Sequence, residues 1–456
     1  MNLYELIVKL RELSGSKNKI AFLNNNSTNK LLERYLSAVY NPRLNYYMVK
    51  YEAAPAAEEA FDDVEVENIL SLLTRLSNRE VTGNAAQELV KEFTSTISKE
   101  AQELLHCALK RDIRASVAAA TLLKVWPSLI HVEPYQRCVL EKDSKGSIAD
   151  WGLYISQLKA DGMFVSLDMT NEYISSRNGT IFPNSKPFRD LIDFVANQYA
   201  SVGTAFEHTL EGELLIEKDG VILPREESNG MLNSLLQSGE DLIEGCKLIY
   251  KVWDIVPTAK RIYKGEYNRP YKERLTLLET FLGYDESQQA HIIETKYFNS
   301  YKDCVDHFLG LIAQGEEGTI VKHPSAIWIH GDNKHQIKLK IEAECDLKIV
   351  GFNPADETSK HKSTFGSLMM QSSDGLLEVG VTGLKDDMRK NLWDMKDQLI
   401  AGEAIVSVRF NDIMKPKKEG ELHSLFLPRF IELRLDKKEP DSLERVIEQF
   451  EAAKTR

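Results

Sequence analysis

Apolar residues recur at helical spacing along roughly the first 130 positions of the chain. In "VENILSLLTRL", Val66, Ile69, Leu73 and Leu76 fall three and four apart, which puts them on one face of a helix. The run "TGNAAQELVKEF" predicts another helix, with Thr82 or Asn84 as its cap, and "LLHCALKRDIRASVAAATLLKVWP" predicts a helical stretch that stops at Pro127. From about residue 131 the pattern changes to short strand-like runs punctuated by glycine: "LYISQLKADGMFVSLDM", "LEGELLIEKDGVIL", "CKLIYKVWDIVP", "GEEGTIVKH" and "HQIKLKIE". Helical pieces such as "FRDLIDFVANQYA" lie between them, which predicts an α+β domain to about residue 343. The remaining residues add the strands "CDLKIVGF" and "EAIVSVRF" and a charged "KPKKEGE" loop, and a small β-barrel is the economical expectation. No internal repeat or low-complexity tract interrupts this order.

Composition narrows the class. A chain of 456 residues with 43% hydrophobic and 28% charged residues suits a soluble protein of two to four domains. No apolar run approaches the roughly 18 residues of a membrane span, and the N-terminus "MNLYELIVKLREL" has helical spacing and acids rather than a secretory pattern. An intracellular, cytoplasmic protein without a membrane partner is therefore expected. The cysteines Cys107, Cys138, Cys246, Cys304 and Cys345 form no CxxC pair, which argues against structural zinc or a disulfide framework. A net charge of −12 disfavours generic nucleic-acid binding but leaves room for a local basic groove.

Candidate chemistry lies in the strand-rich middle. Lys159 stands in the otherwise apolar run "QLKADGMF", where an ammonium either escapes to solvent or serves chemistry. In "HQIKLKIE" the period of two puts Lys338 and Lys340 on one face, about 7 Å apart along the strand. They form either a phosphate-sized clamp or a solvated edge whose lysines discourage aggregation. Glu213 in "LEGELLI" and Glu317 in "GEEGTIVK" end apolar strands beside glycines, as turn residues also do. Together these residues offer a lysine nucleophile, two carboxylates for a divalent cation and two further cations, a combination suited to nucleotidyl transfer.

Seven blocks in order, "KADG" (159–162), "SRNG" (176–179), "EGE" (211–213), "KVWD" (251–254), "EGTIVK" (317–322), "KLK" (338–340) and "RLDK" (434–437), resemble the motif series of covalent nucleotidyltransferases, specifically ATP-dependent DNA ligases. The segments "TGNAA", "RASVAAATLLKVWP", "ESNG" and "DLKIVG" are similar to the ligases of T-even bacteriophages, so the likeness runs along nearly the whole chain. It implies three domains: residues 1–130 an all-α DNA-binding domain, 131–343 an α+β nucleotidyltransferase (adenylation) domain, and 344–456 an oligonucleotide-binding (OB) fold. It implies ATP and a divalent cation, Mg2+, as cofactors and nicked duplex DNA as partner, with the protein a monomer, virus-encoded and acting in the host cell.

The residue roles follow from the same resemblance. Lys159 would attack the α-phosphate of ATP to give a lysyl-AMP phosphoramide, with Asp161 and Gly162 shaping the turn that presents it. Burial near a metal ion and the cations Lys338 and Lys340 would favour loss of its proton. Gln157 and Leu158 would bind the nucleotide. Glu213 is expected at the ribose or metal and Glu317 at the metal, while Lys338 and Lys340 would hold the α-phosphate. Trp253 would stack on adenine for roughly 1–3 kcal/mol, although a tryptophan before an acid in a buried strand also suits a plain core. Arg177 would take the 5′-phosphate of the nick, and Arg434, with Asp436 and Lys437, would come from the C-terminal domain. Arg274, in "YKERLTLLE", lies where relatives carry an arginine and equally suits a helix surface. One departure is plain: the pattern KxDGxR has Phe164 in place of its arginine.

The expected reaction is enzyme adenylation by ATP, AMP transfer to a 5′-phosphate at a nick, and attack by the adjacent 3′-hydroxyl with release of AMP. An RNA ligase or mRNA-capping guanylyltransferase shares the lysine and strand motifs but not the helical N-terminal region, and a non-catalytic nucleic-acid clamp would need no lysine nucleophile. A covalent adduct with labelled ATP rather than GTP separates these readings.

Overall fold

Helices Leu3–Glu12, Ser16–Asn25, Lys30–Tyr40, Asp63–Ser77, Gly83–Ser95 and Lys99–Lys110 build the first region. Asn2 and Asp62 open the first and fourth of these with reciprocal caps, each side chain accepting from a backbone N–H while Glu5 or Glu65 answers back. The apolar stripes of these helices meet in one cluster of buried side chains from Leu3 to Ile130, which includes Val66, Ile69, Leu73 and Leu76 as their spacing predicts. The computed structural model describes residues 1–456 apart from 49, 145, 147, 202, 204–206, 239–240, 357–358, 360, 417, 419, 435 and 455–456.

Two sequence expectations change here. Thr82 occupies the cap position of helix Gly83–Ser95 but makes no side-chain cap hydrogen bond. The helical stretch expected to reach Pro127 ends at Lys110, and only Ala119–Leu122 is helical beyond it. Arg111 takes a left-handed φ of 58°. Its guanidinium donates to the carbonyls of Leu44, at 2.6 Å, and Asn41, so a long-range tie fixes a break that local propensity does not announce.

Two sheets face each other in the middle of the chain. One has the order Gln136–Val139, Gly331–Lys340, Gly318–Lys322, Tyr154–Leu158, Thr295–Phe298. The other has the order Tyr173–Ser176, Met163–Asp168, His208–Lys218, Cys246–Pro257, Ala290–Ile292, with Val221–Ile222 paired at one edge. The helix Lys186–Ser201 contributes Phe188, Leu191, Ile192, Val195 and Tyr199 to the second sheet's core. Helix Tyr271–Glu279 brings Arg274 inward, not to a surface: the side chain is 1% exposed and grips Asp254 through Nε to Oδ1 at 2.8 Å and Nη2 to Oδ2 at 2.9 Å.

The C-terminal region is a curled five-stranded sheet, ordered Glu378–Val381, Ser367–Gln371, Ala343–Asn353, Ile405–Phe410, Arg429–Leu433, packed against helix Leu443–Lys454. The sequence predicts a small β-barrel, and the sheet does not close into one. The edges are instead joined by one bridge, Thr382 to Arg429, rather than by a continuous ladder. Only Ile341 and Glu342 separate this sheet's strand Ala343–Asn353 from Gly331–Lys340 of the preceding one. Lys417 and Glu419 of the charged loop lie outside the described residues. Among the described residues no helix is long and apolar enough to cross a membrane.

The buried pair and an exposed one should respond differently to mutation. Arg274→Ala strands the Asp254 carboxylate and should cost about 3–5 kcal/mol in denaturant unfolding. Arg34→Ala breaks the exposed Arg34–Glu67 pair and should cost less than about 1 kcal/mol.

Candidate active site

A cleft of about 1190 Å3 opens between the two facing sheets and is closed on one side by the loop Pro42–Met48 of the helical region. Pairing of Gly318–Lys322 with Tyr154–Leu158 and Gly331–Lys340 brings Gln157, Ile320 and Lys338 into one row across the strands, with Lys322 beside Gln336 in the next. The opposite sheet contributes Phe164, Glu211, Glu213 and Trp253 to the walls.

Lys159 leaves the end of strand Tyr154–Leu158, its backbone N–H donating to the carbonyl of Gly318 at 2.9 Å. Position 318 must lack a side chain for a separate reason: Gly318 has φ 144°, and a Cβ there would collide with the carbonyl of Leu339 on the neighbouring strand. Lys159 Nζ donates to Glu317 Oε2 in a half-buried ion pair. Gly162 is tight as well, since a Cβ would stand 2.6 Å from the Leu214 carbonyl. Its N–H donates to Glu213 Oε1 at 3.2 Å, tying the turn after Lys159 to the opposite sheet. Burial pushes the Glu213 carboxyl up to about 7, against the opposing pull of Lys159 and Arg177.

Of the residues singled out in the sequence, Gln157, Leu158, Lys159, Asp161, Arg177, Glu213, Trp253, Glu317 and Lys338 all line this cleft. Asp161 sits at the mouth, paired with Arg225 at 2.5 Å. Gln157 is fixed from both ends, accepting from the Tyr271 hydroxyl at 2.8 Å and donating to Thr295 Oγ1 at 2.9 Å. Trp253 faces the cleft rather than a plain core and meets Phe164 at 5.8 Å between ring centroids.

Three predicted cations stand elsewhere. Lys340 is drawn to Glu342 at 3.3 Å, and Glu342 is also held by Arg429 at 2.9 Å, so Lys340 is not among the residues lining the cleft. Arg434 binds Asp346 at 2.9 Å and Asp436 at 2.8 Å, while Lys437 binds Asp346 and Asp441, each at 2.8 Å. This cluster belongs to the C-terminal sheet and lines no part of the cleft.

Several functional candidates were missed from sequence. Lys322 is 2% exposed and borders the cleft, its ammonium lies 4.2 Å from the centre of the Tyr271 ring, and Nζ finds no hydrogen-bond partner among the described residues. Burial lowers it to about 8. Its presence in "EGTIVK" was visible, but its lack of a partner is a property of the packed sheets. Glu211, the first acid of "EGE", accepts from Arg261 at 3.0 Å and from Trp328 Nε1 at 3.1 Å. Arg261 also binds Glu133 and Ser166 Oγ, so a buried network clasps the exit from the helical region onto the second sheet.

Two facing sheets thus enclose a lysine at a strand end, between carboxylates and cations that suit a phosphate-bearing ligand. Residues 149–340 match the ATP dependent DNA ligase domain. Over 98% of its length the chain is 26% identical to the DNA ligase of Enterobacteria phage T4, and 25% identical to that of phage T6, covering 98% of each. The solved structure named Pmar-Lig_PreS3 superposes with a TM-score of 0.69 at 18% identity, over 95% of this chain and 99% of that one. The chain is thus similar to the ATP-dependent DNA ligases, through the domain match at residues 149–340 and through the phage proteins along its length.

The raised Glu213 carboxyl has a consequence for stability. The folded chain keeps this proton between about 4.5 and 7, where an unfolded carboxyl has lost it, so without divalent cations stability falls as pH rises through that window. Glu213→Gln should therefore melt higher than the parent at pH 8, by an amount on the order of 1 kcal/mol or more. The difference should vanish only below about pH 4, under the unfolded value, in calorimetric scans across pH.

Proposed function

We propose that the protein seals nicks in duplex DNA through a lysyl-AMP intermediate on Lys159. What supports the reading is that one cleft gathers Lys159, Glu317, Glu213, Lys338 and Trp253, with Lys322 offering it a buried, unpartnered donor. An anionic, aromatic ligand such as ATP matches that lining: Trp253 for the base, Lys338 and Lys322 for acceptor atoms, and the mouth near Lys159 for phosphate.

Glu213 and Glu317 would hold the divalent cation, which when bound supplies Lewis acidity and neutralises phosphate charge. Two carboxylates suit Mg2+, which usually completes its shell with water and substrate phosphate rather than with an all-protein cage. In the ion pair seen here the lysine nitrogen is occupied by Glu317, so engagement of that carboxylate elsewhere bares it for attack. The Nζ lone pair forms a bond to the α-phosphorus, the bond to the bridging oxygen breaks, and pyrophosphate leaves with that electron pair while the amine proton passes to solvent. An oxygen of the DNA 5′-phosphate, held by Arg177, then attacks the adenylate phosphorus; the P–N bond breaks with its electron pair passing to Nζ, which takes a proton from solvent and leaves as the free amine. Attack of the 3′-hydroxyl on the activated 5′-phosphorus joins the strands and expels AMP.

The domain roles follow from this reading. Residues 1–130 would grip the duplex and 131–343 would carry adenylation. Residues 344–456 would swing about Ile341 and Glu342 to bring Arg434 and Lys437 over the pyrophosphate, where positioned cations can stabilise a leaving group by several kcal/mol. Similarity to phage proteins over 98% of the chain supports a virus-encoded protein, and the reading makes it a monomer acting in host cytoplasm.

Lys159→Ala should abolish the AMP adduct formed with labelled ATP and Mg2+ while still sealing a chemically pre-adenylated nick at some rate. Adduct at the parent level in this variant overturns the assignment. Arg434→Ala and Lys437→Ala should each slow adduct formation by about a hundredfold and largely spare sealing of the pre-adenylated nick. Equal losses in both assays, in protein folded by circular dichroism, contradict that division.

A further inference from the structure

Phe164 stands where the resemblance expects an arginine, and its ring is occupied. The Arg177 guanidinium lies 5.4 Å from the centre of the Phe164 ring and 5.5 Å from that of Tyr135, and the two rings are 6.0 Å apart. Phe164 is 7% exposed on strand Met163–Asp168, and the neighbouring Trp253 ring backs it at 5.8 Å. Tyr135 is steadied in turn by His330, whose Nδ1 accepts from its backbone N–H at 3.2 Å, and by Arg137, which lies 5.7 Å from the ring centre and is paired with Asp332. Among the described residues no carboxylate forms an ion pair with Arg177, although it lines a cleft that contains Glu213 and Glu317.

That combination is unusual for an arginine in an acidic protein. A carboxylate partner would fix the side chain but consume the fork of N–H donors that recognises phosphate oxygens. Ring faces hold the guanidinium through the π-quadrupole and leave its in-plane N–H groups free. An arginine at position 164 would instead set a second cation against the first.

We infer that Phe164 and Tyr135 form a two-ring cradle that positions Arg177 for the 5′-phosphate of the nick, so that the ring at 164, where the motif has an arginine, orients one cation instead of adding a second. This rests on the role proposed above for Arg177. Phe164 and Tyr135 are positioning residues here, acting only through that guanidinium.

The test uses full-length enzyme, pre-charged with AMP, in single-turnover transfer to a nick at varied DNA concentration. Phe164→Leu keeps apolar bulk against Trp253 but removes the π-face, and should raise the nick concentration for half-maximal transfer about two- to fivefold. Binding to a nick bearing a 5′-hydroxyl should be unchanged. Phe164→Tyr should restore parent behaviour, and Tyr135→Leu should reproduce the effect of Phe164→Leu. In an Arg177→Ala background Phe164→Leu should add nothing, because the ring then has no cation to hold. A Phe164→Leu loss that persists without Arg177, or that appears equally with the 5′-hydroxyl nick, overturns the cradle, as does no loss at all. If Arg177→Ala itself leaves transfer intact, the 5′-phosphate reading of Arg177 is what has failed.

Discussion

The Lys159–Glu317 ion pair is the contact around which the cleft is arranged. It joins the end of strand Tyr154–Leu158 to the start of Gly318–Lys322, and the backbone bond from Lys159 to Gly318 holds the two at fixed register. Everything that makes the lysine useful depends on that register. It turns Lys338 and Lys322 toward the same cleft, and the Gly162 to Glu213 bond fixes the opposing sheet's carboxylate across from them. A pair only half-buried is cheap to break, which suits a nitrogen that must be bared during turnover, whereas the fully buried Arg274–Asp254 pair behind it is costly to break and suits scaffold.

Charge is distributed so that the site does not collapse on itself. The chain is acidic overall, yet its cleft gathers Lys159, Arg177, Lys322 and Lys338 with only part of their charge neutralised locally. Arg177 is held by rings and Lys322 by burial over Tyr271, so neither loses its donors to a carboxylate. The C-terminal cations are stored differently: Asp346 and Asp441 neutralise Arg434 and Lys437 on their own sheet. Glu342 bonds Lys340 on one side of the two-residue connection and Arg429 on the other, which makes it the electrostatic joint between the two sheets.

What the sequence made legible was local. Helical spacing located Val66, Ile69, Leu73 and Leu76 in the first core, and strand alternation gave Lys338 its cleft-facing row. The ordered motif blocks pointed to Lys159 and Glu317, which flank strand ends, and to Glu213, which the sequence also put at a strand end but which lies in the middle of strand His208–Lys218. Alternation also put Lys340 on the face of Lys338, but only the fold reveals Glu342 and Arg429 beside it. The break at Arg111 was hidden because its cause, the carbonyls of Leu44 and Asn41, lies far away in sequence. For the same reason neither the Glu133–Arg261–Glu211 network nor the inward turn of Arg274 could be read from composition or period.

The central claim is that Lys159, held by Glu317 in this cleft, is the group that carries AMP. Incubating the full-length protein with ATP and Mg2+, digesting it and mapping the adenylated peptide by mass spectrometry tests this directly. The account predicts one added adenylate, located on Lys159 and discharged when nicked DNA is supplied. An adenylate on any other residue, or one on Lys159 that nicked DNA does not remove, would contradict it.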